Sequence, residues 1–133
     1  MRTIKNILRA AAFVAVAVLV TACSGDRGYD TLSATEFATA LADDPNAVVL
    51  DVRTPAEVAE GYIPGEEVVF IDFLAPGFEA HAKDLDPSRS YYVYCRSGKR
   101  SAQAAGVLAN LGFHHVHDLS GGILGWTGEL ETP

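Results

Sequence analysis

The sequence predicts a single α/β domain in which helices cover both faces of a parallel β-sheet. Short β-like runs alternate along the chain with helical segments, and strands that are separated by helices form parallel sheets. Several of these runs are apolar throughout instead of alternating, which is typical of strands buried on both faces. A length of 133 residues leaves room for one ordinary domain and excludes repeat arrays and multidomain enzymes.

The first 22 residues have the layout of a secretory signal peptide. A head with three Lys or Arg residues precedes an uncharged apolar stretch over residues 10–20, which is shorter than the about 20 apolar residues that a bilayer-spanning helix needs. The stretch closes on Leu19–Cys23, which resembles the lipobox of bacterial lipoproteins. The resemblance implies cleavage before Cys23, lipid on that cysteine, and an exported protein anchored at the periplasmic or extracellular face of a bacterial membrane. An ordinary cleaved signal or a short core helix is the alternative.

Removal of this leader makes the remaining chain more acidic. The full chain has a net charge of -7, and the leader holds three of the ten basic residues and none of the 17 acidic ones. The remainder therefore carries seven basic against 17 acidic residues, a net charge of -10. Such a surface repels nucleic acid and anionic lipid. With Cys23 committed to lipid, Cys95 is the one free thiol and has no partner for an intramolecular disulfide.

Helix signals along the chain are local and well marked. Residues 23–30 are small and polar and are expected to form a flexible tether, so the domain occupies residues 31–130. Capping boxes at Ser33–Glu36 and Thr54–Glu57 open two helices, the first to about Leu41 and the second stopping at Gly61. A third helix is expected over Ser101–Leu111, where apolar residues form one stripe. Strands are expected at four runs: 47–52, 68–71, 90–94 and 115–119.

The loop between the strand at 90–94 and the following helix carries the chemistry. In open α/β sheets, ligands bind at the carboxyl ends of the strands. Three of the seven basic residues outside the leader, Arg96, Lys99 and Arg100, follow Cys95 within five positions. The unpaired N–H groups and the dipole of a helix N-terminus, together with these cations, stabilise a negative charge on sulfur. The loop therefore predicts a nucleophilic thiolate that attracts small anions, and the alternative is a buried structural cysteine beside a solvated loop.

Four segments in this order resemble the signatures of rhodanese-type sulfurtransferases. Together they cover about residues 30–128, and Tyr62 and Glu66–Glu67 depart from the commoner residues of the family. The segments are Leu50–Glu57, Gly61–Gly65, Cys95–Ser101 and Asp118–Trp126. The resemblance implies a five-stranded parallel sheet with helices on both faces and a Cys95 that forms a persulfide.

The resemblance and the loop chemistry imply one mechanism. The Cys95 thiolate attacks the outer sulfur of thiosulfate, sulfite leaves, and a thiol or cyanide then removes the sulfur from the persulfide. Backbone N–H groups of the loop hold the terminal sulfur anion. The loop residues are Arg96, Ser97, Gly98, Lys99 and Arg100. We expect Arg96 and Lys99 to orient the donor and Arg100 to anchor the loop through Asp51. The basic loop favours thiosulfate over 3-mercaptopyruvate, and no cofactor is expected.

Three further residues are predicted to support the loop. Asp51 and Arg53 are expected to form a buried ion pair that fixes the loop, although Arg53 could also face the substrate. Trp126 is expected to pack in the core or to form a pocket wall beside the loop.

No metal site is predicted. The cluster of His114, His115 and His117 lacks a Cys or carboxylate group that would complete a metal site, so solvated histidines at a strand edge are expected instead.

Three other functions remain as alternatives. A Cys-dependent phosphatase or arsenate reductase also uses a Cys-to-Arg loop, but phosphatases place five residues between Cys and Arg, whereas four lie between Cys95 and Arg100. A regulatory or binding module would commonly lack the cysteine. A persulfide carrier that serves one partner protein would need the same loop as the enzyme, so the sequence does not separate the two.

Overall fold

The computed structural model describes residues 26–133. The predicted signal peptide and the predicted lipidation site at Cys23 lie outside the described residues. Within them, no helix has the length and apolar character needed to cross a membrane.

A five-stranded parallel sheet forms the centre of the domain, which confirms the predicted fold class. The strands lie in the order β1-β5-β4-β2-β3, and every neighbouring pair runs parallel. The strands are β1 (Asp30–Leu32), β2 (Ala47–Asp51), β3 (Val68–Phe70), β4 (Ser90–Tyr94) and β5 (Val116–Leu119). All residues of β4 are buried, as expected for an apolar run at the centre of such a sheet.

Helices cover both faces of the sheet. On one face, Phe37 of α1 (Ala34–Asp43) packs against Tyr92 and Leu119. On the other face, the apolar stripe of α4 (Lys99–Asn110) packs on Val93 and Val116, together with α3 (Phe78–Lys83). The fourth helix, α2 (Pro55–Ala59), follows β2.

Both predicted capping boxes are formed. The side chain of Ser33 accepts the N–H of Glu36, and that of Thr54 accepts the N–H of Glu57. In both, the glutamate side chain reaches back to the backbone of the capping residue, so the orphan N–H groups of the first turn are satisfied.

Three elements differ from the sequence-based expectation. Strand β1 begins at Asp30, inside the expected tether, because it pairs in register with β5. The sequence does not predict helix α3, since its six residues are too few to show a helical period. Helix α4 begins at Lys99 instead of Ser101, because Gly98 takes a positive φ of 102° and turns the chain directly into the helix.

Candidate active site

Cys95 lies at the carboxyl end of β4, the strand at the centre of the sheet. The side chain is 1% exposed, and its Sγ accepts the N–H of Gly98 at 3.1 Å. It is a free cysteine, and among residues 26–133 it is the one cysteine present. The geometry therefore brings the sulfur to the first turn of a helix, where partial positive charge is concentrated.

The backbone of the loop offers further donors around the sulfur. The N–H groups of Arg96, Ser97, Lys99 and Arg100 have no acceptor within the described part of the chain. The turn at Gly98 depends on glycine, because its φ is positive and a Cβ there would lie 3.4 Å from the Gly121 nitrogen. The loop is thus an open set of donors that suits an anion at the position next to sulfur.

A second segment, residues 121–126, closes over the loop and holds it in place. Ile123 donates its N–H to the Cys95 carbonyl at 2.9 Å, and Leu124 donates to the Arg96 carbonyl at 3.2 Å. Gly122 permits this approach, since a Cβ there would lie 2.3 Å from the Arg96 oxygen. Two loops from neighbouring strands therefore fix each other's backbone.

Arg100 anchors the loop, as the sequence predicts. Its partner is Glu57, however, so the expected pairing with Asp51 is wrong. The guanidinium donates to both carboxylate oxygens of Glu57, at 2.8 Å and 2.9 Å. This bidentate hydrogen bond is the main reason that the pKa of Glu57 falls from 4.5 to about 2, and Thr54 adds to the effect. Asp51 is unavailable to Arg100 because Arg53 already occupies it.

Asp51 and Arg53 form the buried ion pair that the sequence suggested. The carboxylate of Asp51 is fully buried and accepts the Arg53 guanidinium at 2.7 Å and the Tyr94 hydroxyl at 2.6 Å. Tyr94 in turn accepts the N–H of Ile63 at 3.0 Å, and Arg53 donates to the Gly61 carbonyl at 2.8 Å. The cluster therefore ties the ends of β2 and β4 to the segment that follows α2.

A shallow pocket opens beside the loop. Arg96 is exposed and lines it together with the nearly buried Arg53 and with Glu57. Three apolar side chains also line it, those of Ile123, Leu124 and Leu130. Ser97 and Lys99 are also exposed, so three side chains of the loop face solvent where a ligand would approach.

The chain is similar to known proteins over most of the described domain. Residues 33–129 match the family model of the rhodanese-like domain, which is well over half of the chain. The chain belongs to the rhodanese-like family. A sulfurtransferase of Allochromatium vinosum is 38% identical over 86 residues, which cover 65% of this chain and 77% of that protein. A rhodanese-like domain protein of Staphylococcus aureus has a solved structure with a TM-score of 0.67 and 27% identity, covering 78% of this chain and 98% of that one.

A further relative is a Bacillus subtilis protein whose name gives it a role as a sulfur carrier. It is 33% identical over 100 residues, and the match covers 75% of this chain and 52% of that protein. The rhodanese-like domain therefore spans about half the length of that relative.

The side chain of Trp126 in this rhodanese-like domain does not line the pocket beside the Cys95 loop. It makes an edge-to-face contact with Phe37 at 6.0 Å between ring centroids and lines a groove between α1 and residues 64–67. Its indole N–H donates to the Glu129 carbonyl at 3.2 Å. Of the two expected positions, the structure shows the first. Trp126 packs on the α1 face and forms no wall of the pocket beside the Cys95 loop.

The histidines take a different arrangement from the one expected. His117 lies on β5, an inner strand, so the expected strand-edge position is wrong for it. Its ring contacts the Asp30 carboxylate and lies 4.8 Å from the Tyr92 ring. His114 and His115 precede the strand and are exposed. Across residues 26–133, no three His, Cys, Asp or Glu side chains are grouped to hold a metal ion.

Two site residues were missed by sequence reasoning. In the sequence, a helix cap alone explains Glu57, although a glutamate in that position is also a candidate partner for Arg100. Tyr94 is predicted only as the last residue of a strand, and its hydroxyl contact with Asp51 joins residues 43 positions apart. No local pattern indicates such a pairing.

Proposed function

We propose that this rhodanese-like domain is a sulfurtransferase that moves a sulfane sulfur from thiosulfate to a thiol or to cyanide through a persulfide on Cys95. The observation that carries the proposal is the contact of the Gly98 N–H with Sγ at 3.1 Å, within a loop whose other N–H groups lack acceptors. A donor array of this kind stabilises both a thiolate and a persulfide, because the Gly98 N–H faces Sγ and the open N–H groups can donate to the negatively charged sulfur next outward.

The reaction proceeds in two displacements. In the first, the Cys95 thiolate attacks the outer sulfur of thiosulfate, a Cys–S–S⁻ group forms, and sulfite departs with the electron pair of the broken S–S bond. In the second, cyanide or a thiolate attacks the terminal sulfur, which leaves as thiocyanate or as a new persulfide. Cys95 returns as the thiolate, so the cycle needs no oxidant, reductant or cofactor.

The loop side chains are proposed to select the donor. Arg96 and Lys99 are exposed at the entrance and carry charge opposite to that of the sulfonate group of thiosulfate. Arg100 is committed to Glu57, and Arg53 to Asp51, so neither supports substrate binding in the same direct way. The exposed cations Arg96 and Lys99 are the reason that we favour thiosulfate over 3-mercaptopyruvate as the donor.

Mass spectrometry of the purified domain tests the proposal. After thiosulfate treatment, wild type should gain the mass of one sulfur on Cys95 and lose it again on addition of cyanide, whereas Cys95→Ser should gain nothing. If no persulfide forms while an aryl phosphate is hydrolysed, the sulfurtransferase proposal is wrong and the phosphatase alternative stands.

Kinetics test the donor selection. Replacing both Arg96 and Lys99 by Ala should raise the KM for thiosulfate several-fold at low salt and less at high salt, because screening weakens attraction between exposed charges. The matched control is Lys83→Ala, an exposed lysine on α3 whose loss should leave KM unchanged. An unchanged KM in the double variant would remove the two cations from donor binding.

A second candidate role is that of a persulfide carrier for one partner protein. The similarity to a named sulfur carrier favours it. A carrier should form the Cys95 persulfide but pass it slowly to cyanide and rapidly to a protein thiol. Comparing the two transfer rates in single-turnover experiments separates the carrier from the freely turning enzyme.

Anchoring of the protein to a membrane is a separate part of the proposal. It rests on the lipobox-like Leu19–Cys23, and it gives the domain a periplasmic or extracellular position on a lipid attached to Cys23. Metabolic labelling with a radioactive fatty acid should label the wild-type chain and leave Cys23→Ser unlabelled. Equal labelling of both would contradict the lipid anchor.

A further inference from the structure

One buried carboxyl group has no place in the mechanism above. Asp118 lies on β5, is 3% exposed, and its Oδ1 has no hydrogen-bond partner in residues 26–133. Along a strand, every second residue faces the same side, so Asp118 shares the face of Val116, which packs beneath α4. A carboxyl oxygen without a partner is costly at this depth, and such a group is uncommon unless it performs a role.

A short path of contacts joins this carboxyl group to the catalytic sulfur. The fully buried Ser101, in the first turn of α4, lies near Asp118, and its hydroxyl donates to the Gly98 carbonyl at 3.2 Å. The same Gly98 donates its N–H to the Cys95 Sγ at 3.1 Å. Asp118 is therefore connected to the hydrogen bond on sulfur through the Ser101 hydroxyl and Gly98.

The hydroxyl of Ser101 has a single hydrogen and cannot serve two acceptors at once. A protonated Asp118 can donate to Ser101, which leaves the Ser101 hydrogen available to the Gly98 carbonyl 3.2 Å away. An ionised Asp118 needs that hydrogen for itself and places a negative charge below the loop. The protonation state of Asp118 thus changes both the support of Gly98 and the electrostatic field around Cys95.

We propose that Asp118, acting through Ser101, is a positioning residue that makes the stabilisation of the Cys95 thiolate depend on pH. The inference rests on the proposed role of Cys95 as the nucleophile. Burial raises the pKa of Asp118 to about 6, against the lowering effect of the Ser101 and Thr31 hydroxyls, so the change falls in a range that solutions commonly reach.

Other titratable groups on the elements around Asp118 have partners of their own. Asp30 of β1 contacts His117, and Arg100 of α4 is held by Glu57. Lys99 is exposed at the start of α4, and His117 alternates to the opposite face of β5 from Asp118. The tyrosines of β4 direct their hydroxyls to Asp86, Asp44 and Asp51. Hydroxyl groups are therefore the polar neighbours that act on Asp118.

Alkylation of Cys95 by iodoacetamide across a pH series tests the proposal. Asp118→Asn should shift the midpoint of the rate profile to lower pH by about half a unit, which is about a threefold change in thiolate fraction. Glu79→Gln, which removes an exposed carboxylate on α3, is the matched control and should leave the midpoint in place. A folded Asp118→Asn variant whose profile coincides with that of wild type overturns the proposal.

A second measurement keeps the test decisive if Asp118→Asn fails to fold. In a Cys95→Ser background, the thiol no longer titrates, and the Gly98 amide signal in proton–nitrogen NMR spectra should still show an inflection near pH 6. The inflection should persist after His117→Gln and disappear after Ser101→Ala. Absence of the inflection, or its loss with His117, overturns the proposal.

These experiments need no sulfur donor. A failure of persulfide formation with a shifted alkylation profile would count against the proposed function alone. Persulfide formation with an unchanged profile would count against the role of Asp118 alone.

Discussion

The ion pair between Glu57 and Arg100 gives the sharpest test of how the Cys95 loop is held. We predict that Glu57→Gln weakens the domain at neutral pH by about 2 kcal/mol. A fall in the pKa of Glu57 from 4.5 to about 2 corresponds to about 3 kcal/mol in favour of the ionised form. Solvent reaches a quarter of the Glu57 side chain and screens part of that interaction, which lowers the expected loss.

The pH dependence has a defined sign. Because the folded-state pKa of Glu57 lies below its usual value of 4.5, the contribution is fully present above pH 4.5 and is lost as the pH falls towards about 2. The difference between wild type and Glu57→Gln should therefore be largest at neutral pH and close progressively below pH 4.5.

Urea denaturation at pH 7 and at pH 3 measures this difference, and the melting temperature at pH 7 should fall by roughly 10 °C. Glu79→Gln is the control, because the ion pair of Glu79 with Lys83 at 3.4 Å is exposed and should contribute less than about 0.5 kcal/mol. If Glu57→Gln is as stable as the control at pH 7, or if the difference is the same at both pH values, the reasoning is refuted.

Three further substitutions test neighbouring parts of the site. Gly122→Ala should abolish sulfur transfer and destabilise the domain, since its Cβ would lie 2.3 Å from the Arg96 oxygen. At Gly121 a Cβ meets no atom within 4 Å, so Gly121→Ala should cost only about 1–2 kcal/mol for its positive φ. Similar effects of the two substitutions would contradict this account. Tyr94→Phe removes a hydroxyl 2.6 Å from the buried Asp51 and should cost about 1–3 kcal/mol in urea denaturation, compared with little for the exposed hydroxyl of Tyr62→Phe. A carboxyl group whose pKa rises from 3.8 to about 6 on folding destabilises the folded protein as the pH rises through that range. Asp118→Asn should therefore be about as stable as wild type at pH 4 and more stable by up to about 3 kcal/mol above pH 6. A stability difference for Asp118→Asn that does not vary with pH would show that the carboxyl is not the cause.

Local sequence signals determined the secondary structure that positions the site. The capping boxes at Ser33–Glu36 and Thr54–Glu57 are formed as predicted, and β4 has the predicted bounds of Ser90–Tyr94. Signals of this kind act between residues a few positions apart, so the chain contains all the information needed to find them. The position of Cys95 at a strand end, in front of a helix N-terminus, followed directly.

The partners of the charged residues were decided only in the tertiary structure. Arg100 pairs with Glu57, 43 residues away, because β2 and β4 are neighbouring parallel strands and the helices that follow them begin at the same edge of the sheet. Asp51 and Arg53 pair across two positions, yet their burial depends on Tyr94 from another strand. Which carboxylate a cation reaches depends on three-dimensional proximity and on competition among partners, and no local pattern encodes either.

The environment of individual side chains shows the same contrast between local sequence signals and tertiary contacts. The sequence by itself determined an α/β fold and a thiol surrounded by cations, since both follow from periodicity and from charge in adjacent positions. Only the tertiary structure placed Asp118 beneath α4 and Trp126 on the opposite face of the sheet, because strand register and sheet order decide which face and which neighbours a side chain receives.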